Sequence, residues 1–240
     1  MRACLMSASR YIGLSEGNAS STASSLQAFS CFYEALSACF HYPRRKFVVL
    51  VVSNEIGKLF RRCASSISAC PRELVQGLEL IEDYEASAKE RGVESIHREL
   101  AMEYTRLFIN AYPLVPCPPY ESFYVDGGFL AQRSAMEVLD LYAKAGYHLS
   151  PRFKDLPDHV AVELEFMSIL CRSQLRMLEE KGREDVHFNE LAQLRSLFVK
   201  EHLVKWIPSF CRCVEKHSKV GFYRGAAWIL RALVDMEAEG

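Results

Sequence analysis

From Leu26 onward, apolar residues recur three or four positions apart along most of the chain. Leu26, Phe29, Tyr33, Leu36 and Phe40 form the first stripe, the spacing that gathers side chains on one face of a helix. Ser24 and Gln27 precede most of it at capping-box spacing. Tyr42-Pro43 ends this helix, because proline has no N–H for the ladder and restricts the residue before it. The run FVVLVV at 47–52 is β-branched enough for a strand. A strand needs a partner, however, and no second run of this kind exists to pair with it, so a buried helix is expected.

Later stripes follow the same rule. Leu74, Leu78, Ile81 and Tyr84 (or Glu85) mark a helix between Pro71 and Gly92, and Leu100, Tyr104, Phe108 and Ala111 mark one from about Glu94 to Asn110. Ser134 and Glu137 form a second capping-box pair ahead of Leu139 and Tyr142. Asp158, a favoured N-cap type, precedes Val160, Leu164, Met167, Cys171, Leu175 and Leu178. Leu191, Leu194 and Phe198, then after a longer step Leu203 and Trp206, define another helix, expected to stop at Pro208. Phe222, Ala226, Ile229, Leu233 and Met236 define the last. The pattern predicts an all-α protein, a compact bundle of roughly eight to ten helices. Its expected organisation is a poorly ordered leader over 1–23, an N-terminal helical half over 24–147, a hinge over 148–157 and a C-terminal helical half over 158–240.

Composition narrows the function. Of 240 residues half are hydrophobic, enough for a substantial core, and 29 basic against 30 acidic residues leave a net charge of −1. That balance supplies no basic field for a phosphate backbone, so nucleic acid is not an expected partner. The longest apolar run, Phe47 to Val52, falls far short of the roughly 20 residues that span a bilayer. No stable membrane insertion is expected. The N-terminal stretch lacks the apolar core of an export signal. Nine scattered cysteines, an odd number, read as free thiols in a reducing cytoplasm.

Catalytic signatures are missing. There is no GxxxxGK[ST], GxGxxG or GxSxG in the chain, so phosphate cradles and elbow serines lack their scaffold. Glu94/His97 and Glu184/His187 have the i, i+3 spacing of bundle metal ligands, but each pair follows a glycine among charged residues, where a helix start in solvent is the simpler reading. Cys211, Cys213 and His217 have an unusual spacing for zinc and no second cysteine pair to complete four ligands. These groups define the alternative function, a helical metal-binding oxidoreductase. The main reading assigns no catalytic residue, metal or cofactor.

Two stretches invite a binding role. In AYPLVPCPPYESFYVDGG (111–128), four prolines and four aromatics interrupt the helical pattern. Successive prolines favour a stiff extended rod that would present Tyr120 and Glu121 with little entropy left to lose; a rigid connector with Tyr120 packed inward is the plain alternative. The second stretch places Asp158 at a helix start, with His159 and Glu163 on one face four residues apart. It reads as a cap plus a surface ion pair, or as an edge held by the flanking Pro151 and Pro157.

The runs EYTRLFINAYPLVPCPPYESFYVDGG (103–128), LPDHVAVELEFMSIL (156–170) and HLVKWIPSFCRCV (202–214), followed by FYRGAAWIL (222–230), resemble the TorD/DmsD family of cytoplasmic molybdoenzyme maturation chaperones. The resemblance implies an all-helical, non-catalytic protein that binds the twin-arginine signal peptide and the apo form of a molybdopterin-dependent reductase, assisting cofactor insertion and delaying export. It implies a peptide-binding surface on Leu107, Phe108, Pro118, Pro119, Tyr120, Glu121, Ser122, Asp158 and His159, to which Glu163 is added as a carboxylate that could meet paired arginines. It also allows a monomer or a domain-swapped homodimer. The chain departs from the family pattern at Ile109-Asn110-Ala111, where many members carry Gly-Pro, and at Leu156, where many carry Glu.

Overall fold

The computed structural model describes residues 21–67, 70–151 and 153–239. The expected leader lies outside these up to residue 20, while residues 21–23 already belong to the first helix. The helices are α1 (Ser21–Cys39), α2 (Arg45–Val52), α3 (Glu55–Ser65), α4 (Arg72–Arg91), α5 (Val93–Tyr104), α6 (Glu121–Val125), α7 (Arg133–Lys144), α8 (Val160–Lys181), α9 (Val186–Phe198), α10 (Val204–His217) and α11 (Gly221–Glu239). A π-helical turn, Thr105–Ile109, continues α5, and another, Val199–Leu203, joins α9 to α10 in one rod. The protein is all-α, as the stripes predict, and FVVLVV is helical within α2.

Pro208 does not end its helix; it lies inside α10. The ladder register is already broken just before it, where the Val204 N–H bonds back five residues to the Val199 carbonyl, so the missing proline donor falls beside an existing defect. The long step from Phe198 to Leu203 is that π turn.

Helices from the two ends of the chain interleave. The most extensive packing is α1 along α8 and α4 along α11. Between α1 and α8, Ser37 Oγ donates to the Ala161 carbonyl at 2.7 Å and Ser30 Oγ to the Ser168 carbonyl at 3.2 Å, all buried. Between α4 and α11 the backbones meet at two glycines: a Cβ on Gly77 would lie 2.9 Å from the Gly225 carbonyl, and one on Gly225 would lie 2.7 Å from that of Gly77. Phe40, Phe108 and Phe210 pack together with Tyr104 and Tyr223 at the centre. Each such fully buried apolar side chain contributes about 1.5–3 kcal/mol of transfer free energy.

Distant carboxylates hold several helix starts, which corrects the expected caps. Ser134 is not the N-cap of α7: it sits inside the helix, and Asp126 Oδ2 accepts both its N–H at 3.1 Å and its hydroxyl at 2.6 Å. Glu85 accepts the Ile56 and Gly57 N–H groups at 3.1 and 3.0 Å, covering the start of α3. Ser24 likewise lies within α1. These contacts satisfy N–H donors that no intrahelical partner reaches.

The reading of all cysteines as free thiols fails for one pair. Cys117 and Cys213 are joined as a disulfide with Cα atoms 5.7 Å apart, within the span such a bond requires. Their separation of 96 residues hid the pairing; only the fold brings the proline segment onto α10. Cys31, Cys39, Cys63, Cys70, Cys171 and Cys211 are free.

Candidate functional site

The site begins at the π turn. Asn110 leaves it in extended geometry, its N–H bonded to the Thr105 carbonyl at 2.8 Å, and the chain runs through the proline segment before returning. There the Cys117 N–H donates to the Leu107 carbonyl at 3.0 Å. π-helical turns are frequent at functional sites because they re-aim side chains without ending the rod. Leu107 and Phe108 point inward and are buried.

The two stretches singled out in the sequence meet. Tyr120 and His159 form an isolated antiparallel bridge. The Glu121 N–H donates to the Asp158 carbonyl at 3.1 Å, and the Val160 N–H donates to the Pro119 carbonyl at 2.8 Å. The Tyr120 ring stands edge-on to the His159 ring with centroids 5.3 Å apart, and His159 in turn stacks on His41 at 6.2 Å. The Tyr120 hydroxyl donates to Asp155 Oδ1 at 2.8 Å. A residue pair on the proline ledge and another before α8 thus form one edge.

His159, not Asp158, is the N-cap of α8: its Nδ1 accepts the Ala161 N–H at 3.1 Å. An acceptor nitrogen must be unprotonated. Burial pushes the His159 pKa down to about 4, with the His41 imidazole lowering it further against the opposing pull of Asp155. Asp158 turns to the other stretch, its Oδ2 accepting the Ser122 N–H at 2.9 Å. It caps α6, thirty-six residues earlier in the chain.

Behind this edge lies an interior polar cluster. Glu121 is 1% exposed, Asp158 and Glu163 0%. These carboxylates, named in the sequence as partners for paired arginines, are therefore closed off from solvent; direct pairing with arginines would require the ledge to lift. His202 Nδ1 lies 2.9 Å from Glu121 Oε2, and the Trp206 indole N–H donates to Glu163 Oε2 at 3.0 Å. Burial first, then the neighbouring Glu121 and Asp158 carboxylates, push the Glu163 pKa well above its ordinary value. Tyr124 stacks on Trp206 and meets Phe210, fixing α6 on α10.

What faces solvent is different. Pro118 and Tyr120 are partly exposed, and Asp155 is exposed. Beyond them the loop leaves Tyr112 100% and Leu114 79% exposed, with Ile109 also open. Exposed apolar side chains mark an interaction surface where they join into a contiguous patch. Asp155, one position before Leu156, supplies a carboxylate close to where the expected glutamate is missing.

Sequence reasoning missed His202, Asp155 and His41. His202 opened one of the quoted runs, but only its proximity to Glu121 gives it meaning. The donors of the alternative metal reading do not converge. Glu94 pairs with Arg45 at 2.7 Å, His187 with Glu190 at 2.9 Å, and Cys213 is taken by Cys117. Among the described residues no three His, Cys, Asp or Glu side chains are grouped to hold a metal. Nor is any helix among them long and apolar enough to cross a membrane.

A helical fold with a bridged proline ledge and an Asp-His helix start defines a class that family comparison makes specific. The family model described as nitrate reductase delta subunit matches residues 71–212, and the chain belongs to that family. Curated relatives carry the name chaperone protein TorD. The one from Photobacterium profundum is 32% identical over 146 residues, 60% of this chain and 65% of that protein. That from Vibrio parahaemolyticus is 28% identical over 58% of this chain and 63% of its own length, and one from Vibrio cholerae 24% identical over 72% and 71%. The matched region thus spans just under two thirds of the first two relatives. A solved protein from Archaeoglobus fulgidus, described as a redox enzyme maturation protein, overlaps 91% of this chain and 96% of its own at 22% identity with a TM-score of 0.44, too loose a superposition to bear on function.

Proposed function

We propose that this protein is a cytoplasmic chaperone for a molybdopterin-dependent reductase, binding the twin-arginine signal peptide and the apo form of its client, assisting cofactor insertion and delaying export. The observation that carries the reading is the Tyr120–His159 bridge, which turns two separate motifs into a single edge, preceded in the chain by exposed Ile109, Tyr112 and Leu114. Such an edge suits recognition, since its backbone is ordered before a partner arrives.

Within the proposed surface of Leu107, Phe108, Pro118 to Ser122, Asp158, His159 and Glu163, direct contact falls to Pro118, Tyr120 and the neighbouring Asp155. The interior members act as positioning residues: Asp158 holds Ser122, His159 starts α8, and Glu121 is held by His202. A basic peptide with apolar side chains matches an aromatic ledge with the accessible Asp155 carboxylate against Tyr120, in a chain that also exposes Ile109, Tyr112 and Leu114.

Calorimetric titration of a synthetic twin-arginine leader from a molybdoenzyme tests this. The expected result is saturable binding at tens of micromolar or below at low salt, weakened when the paired arginines are replaced by alanine. Absence of binding in that range contradicts the reading.

A further inference from the structure

We propose that Cys117 and Cys213 are a reversible oxidation site whose state sets how firmly the ledge is held, and through it how tightly the peptide binds. The binding half of this statement rests on the chaperone reading, as does the reducing compartment that makes the dithiol the resting form; the oxidation chemistry at the two cysteines does not.

Placement carries the inference. Cys117 immediately precedes Pro118 and Pro119, so a covalent tie at this residue is passed to Tyr120 through a stretch with little torsional freedom. Its partner lies on α10, the helix that carries Trp206 and Phe210 against α6. The bond therefore clamps the ledge at one end, while the Asp158 contacts hold the other. Access is unequal: Cys117 is fully buried and Cys213 partly exposed. Among the described residues no other cysteine is disulfide-bonded. In a reducing compartment a lone disulfide of this kind is transient, so the dithiol is the resting form and the bond marks an event.

The chemistry balances with a low-molecular-weight disulfide as oxidant. The Cys213 thiolate attacks one sulfur of the oxidant, forming a mixed disulfide and releasing one thiolate, which takes up a proton. The Cys117 thiolate then attacks the Cys213 sulfur, closing the protein disulfide and releasing the second thiol. Two protein thiols are oxidised and one disulfide is reduced to two thiols. A small dithiol reverses the sequence by entering at the accessible Cys213 sulfur.

The full chain, equilibrated in mixtures of glutathione and glutathione disulfide, is alkylated and analysed by mass spectrometry. Amide exchange is followed at Cys117, Glu121 and Ser122, whose N–H groups bond to Leu107 and Asp158. The expected result is joint loss of alkylation at both cysteines on oxidation, with these amides exchanging about tenfold faster in the dithiol form. The oxidised form is expected to bind the leader peptide about three- to tenfold more tightly, through preorganisation. Cys213→Ser, at the partly exposed position, should exchange and bind like the dithiol form at every glutathione ratio. Both thiols staying reduced in excess glutathione disulfide, or exchange independent of redox state, overturns the site. Redox-dependent exchange with no peptide bound to either form overturns only the binding half, and with it the chaperone reading.

Discussion

The carboxylate of Asp158 accepts the Ser122 N–H at 2.9 Å from a position at which it is itself fully buried. It is a cap supplied across the fold, and it ties the start of α6 to the segment entering α8.

Asp158→Ala should therefore act on stability first. It removes a buried cap and leaves a donor unsatisfied, a loss of about 1–3 kcal/mol, measurable by urea denaturation. Asp158→Asn keeps an acceptor oxygen and should recover most of that loss. If positioning is the role of this residue, the Asn variant should also keep peptide affinity within about threefold of the parent, whereas a direct charge contact would lose most of it.

Asp155 should behave in the opposite way. It is exposed, so Asp155→Asn should change stability by no more than about 0.5–1 kcal/mol, allowing for the Tyr120 contact. Reversing its charge with Asp155→Lys should weaken binding of a basic leader about five- to tenfold at low salt, with the difference shrinking as salt is added. Equal affinity for parent and Lys variant would remove Asp155 from the contact surface.

His159 gives a pH signature. Its folded pKa of about 4 lies below the ordinary histidine value of 6.5, so the unfolded chain takes up a proton first as pH falls. The neutral group costs nothing above pH 6.5, and stability drops progressively from there to about pH 4, by about 2–3 kcal/mol. His159→Asn retains a capping acceptor without this titration. The parent-minus-variant difference in unfolding free energy should fall with the same slope, against the shared background of His41 and Asp155. A flat difference across that window would mean the imidazole is not held neutral.

Where α4 meets α11, Gly77→Ala would place a methyl 2.8 Å from an Ile229 carbon and 2.9 Å from the Gly225 carbonyl. Backbone cannot yield as a flexible side chain does, so a loss of about 1–3 kcal/mol is expected, read as a lower Tm with the peptide affinity of the folded fraction unchanged.

Much of the fold was legible because helix stripes report a period that packing preserves. FVVLVV reads as helix only because no partner strand exists for it, an argument about pairing that local propensity alone misses. The caps were less legible. Ser24 and Ser134 match a local spacing rule, yet the start of α7 is met by Asp126, eight residues back, and that of α3 by Glu85, nearly thirty residues on, beyond the three-residue spacing of a capping box. The same limit applies to the site. The meeting of Tyr120 with His159 could be suspected from two stiff, proline-bounded stretches, but whether Glu121, Asp158 and Glu163 face water depends on which side of the bridge the chain turns. Pro208 carries the signature of a stop, and only the five-residue step before it, a π turn, lets the helix run through.

In the proposed complex the bridged Pro118–Tyr120 edge, with Asp155 beside it, meets the client's leader directly while the buried carboxylates only position it. A twin-arginine leader carrying a photoreactive group beside its arginines, irradiated on the full chain and mapped by mass spectrometry, addresses this most directly. Cross-links at Pro118, Tyr120 and Asp155, lost with unlabelled competitor, are the predicted result. Saturable cross-links confined to another face, such as the surface of α5 around Arg98 and Met102, would contradict it.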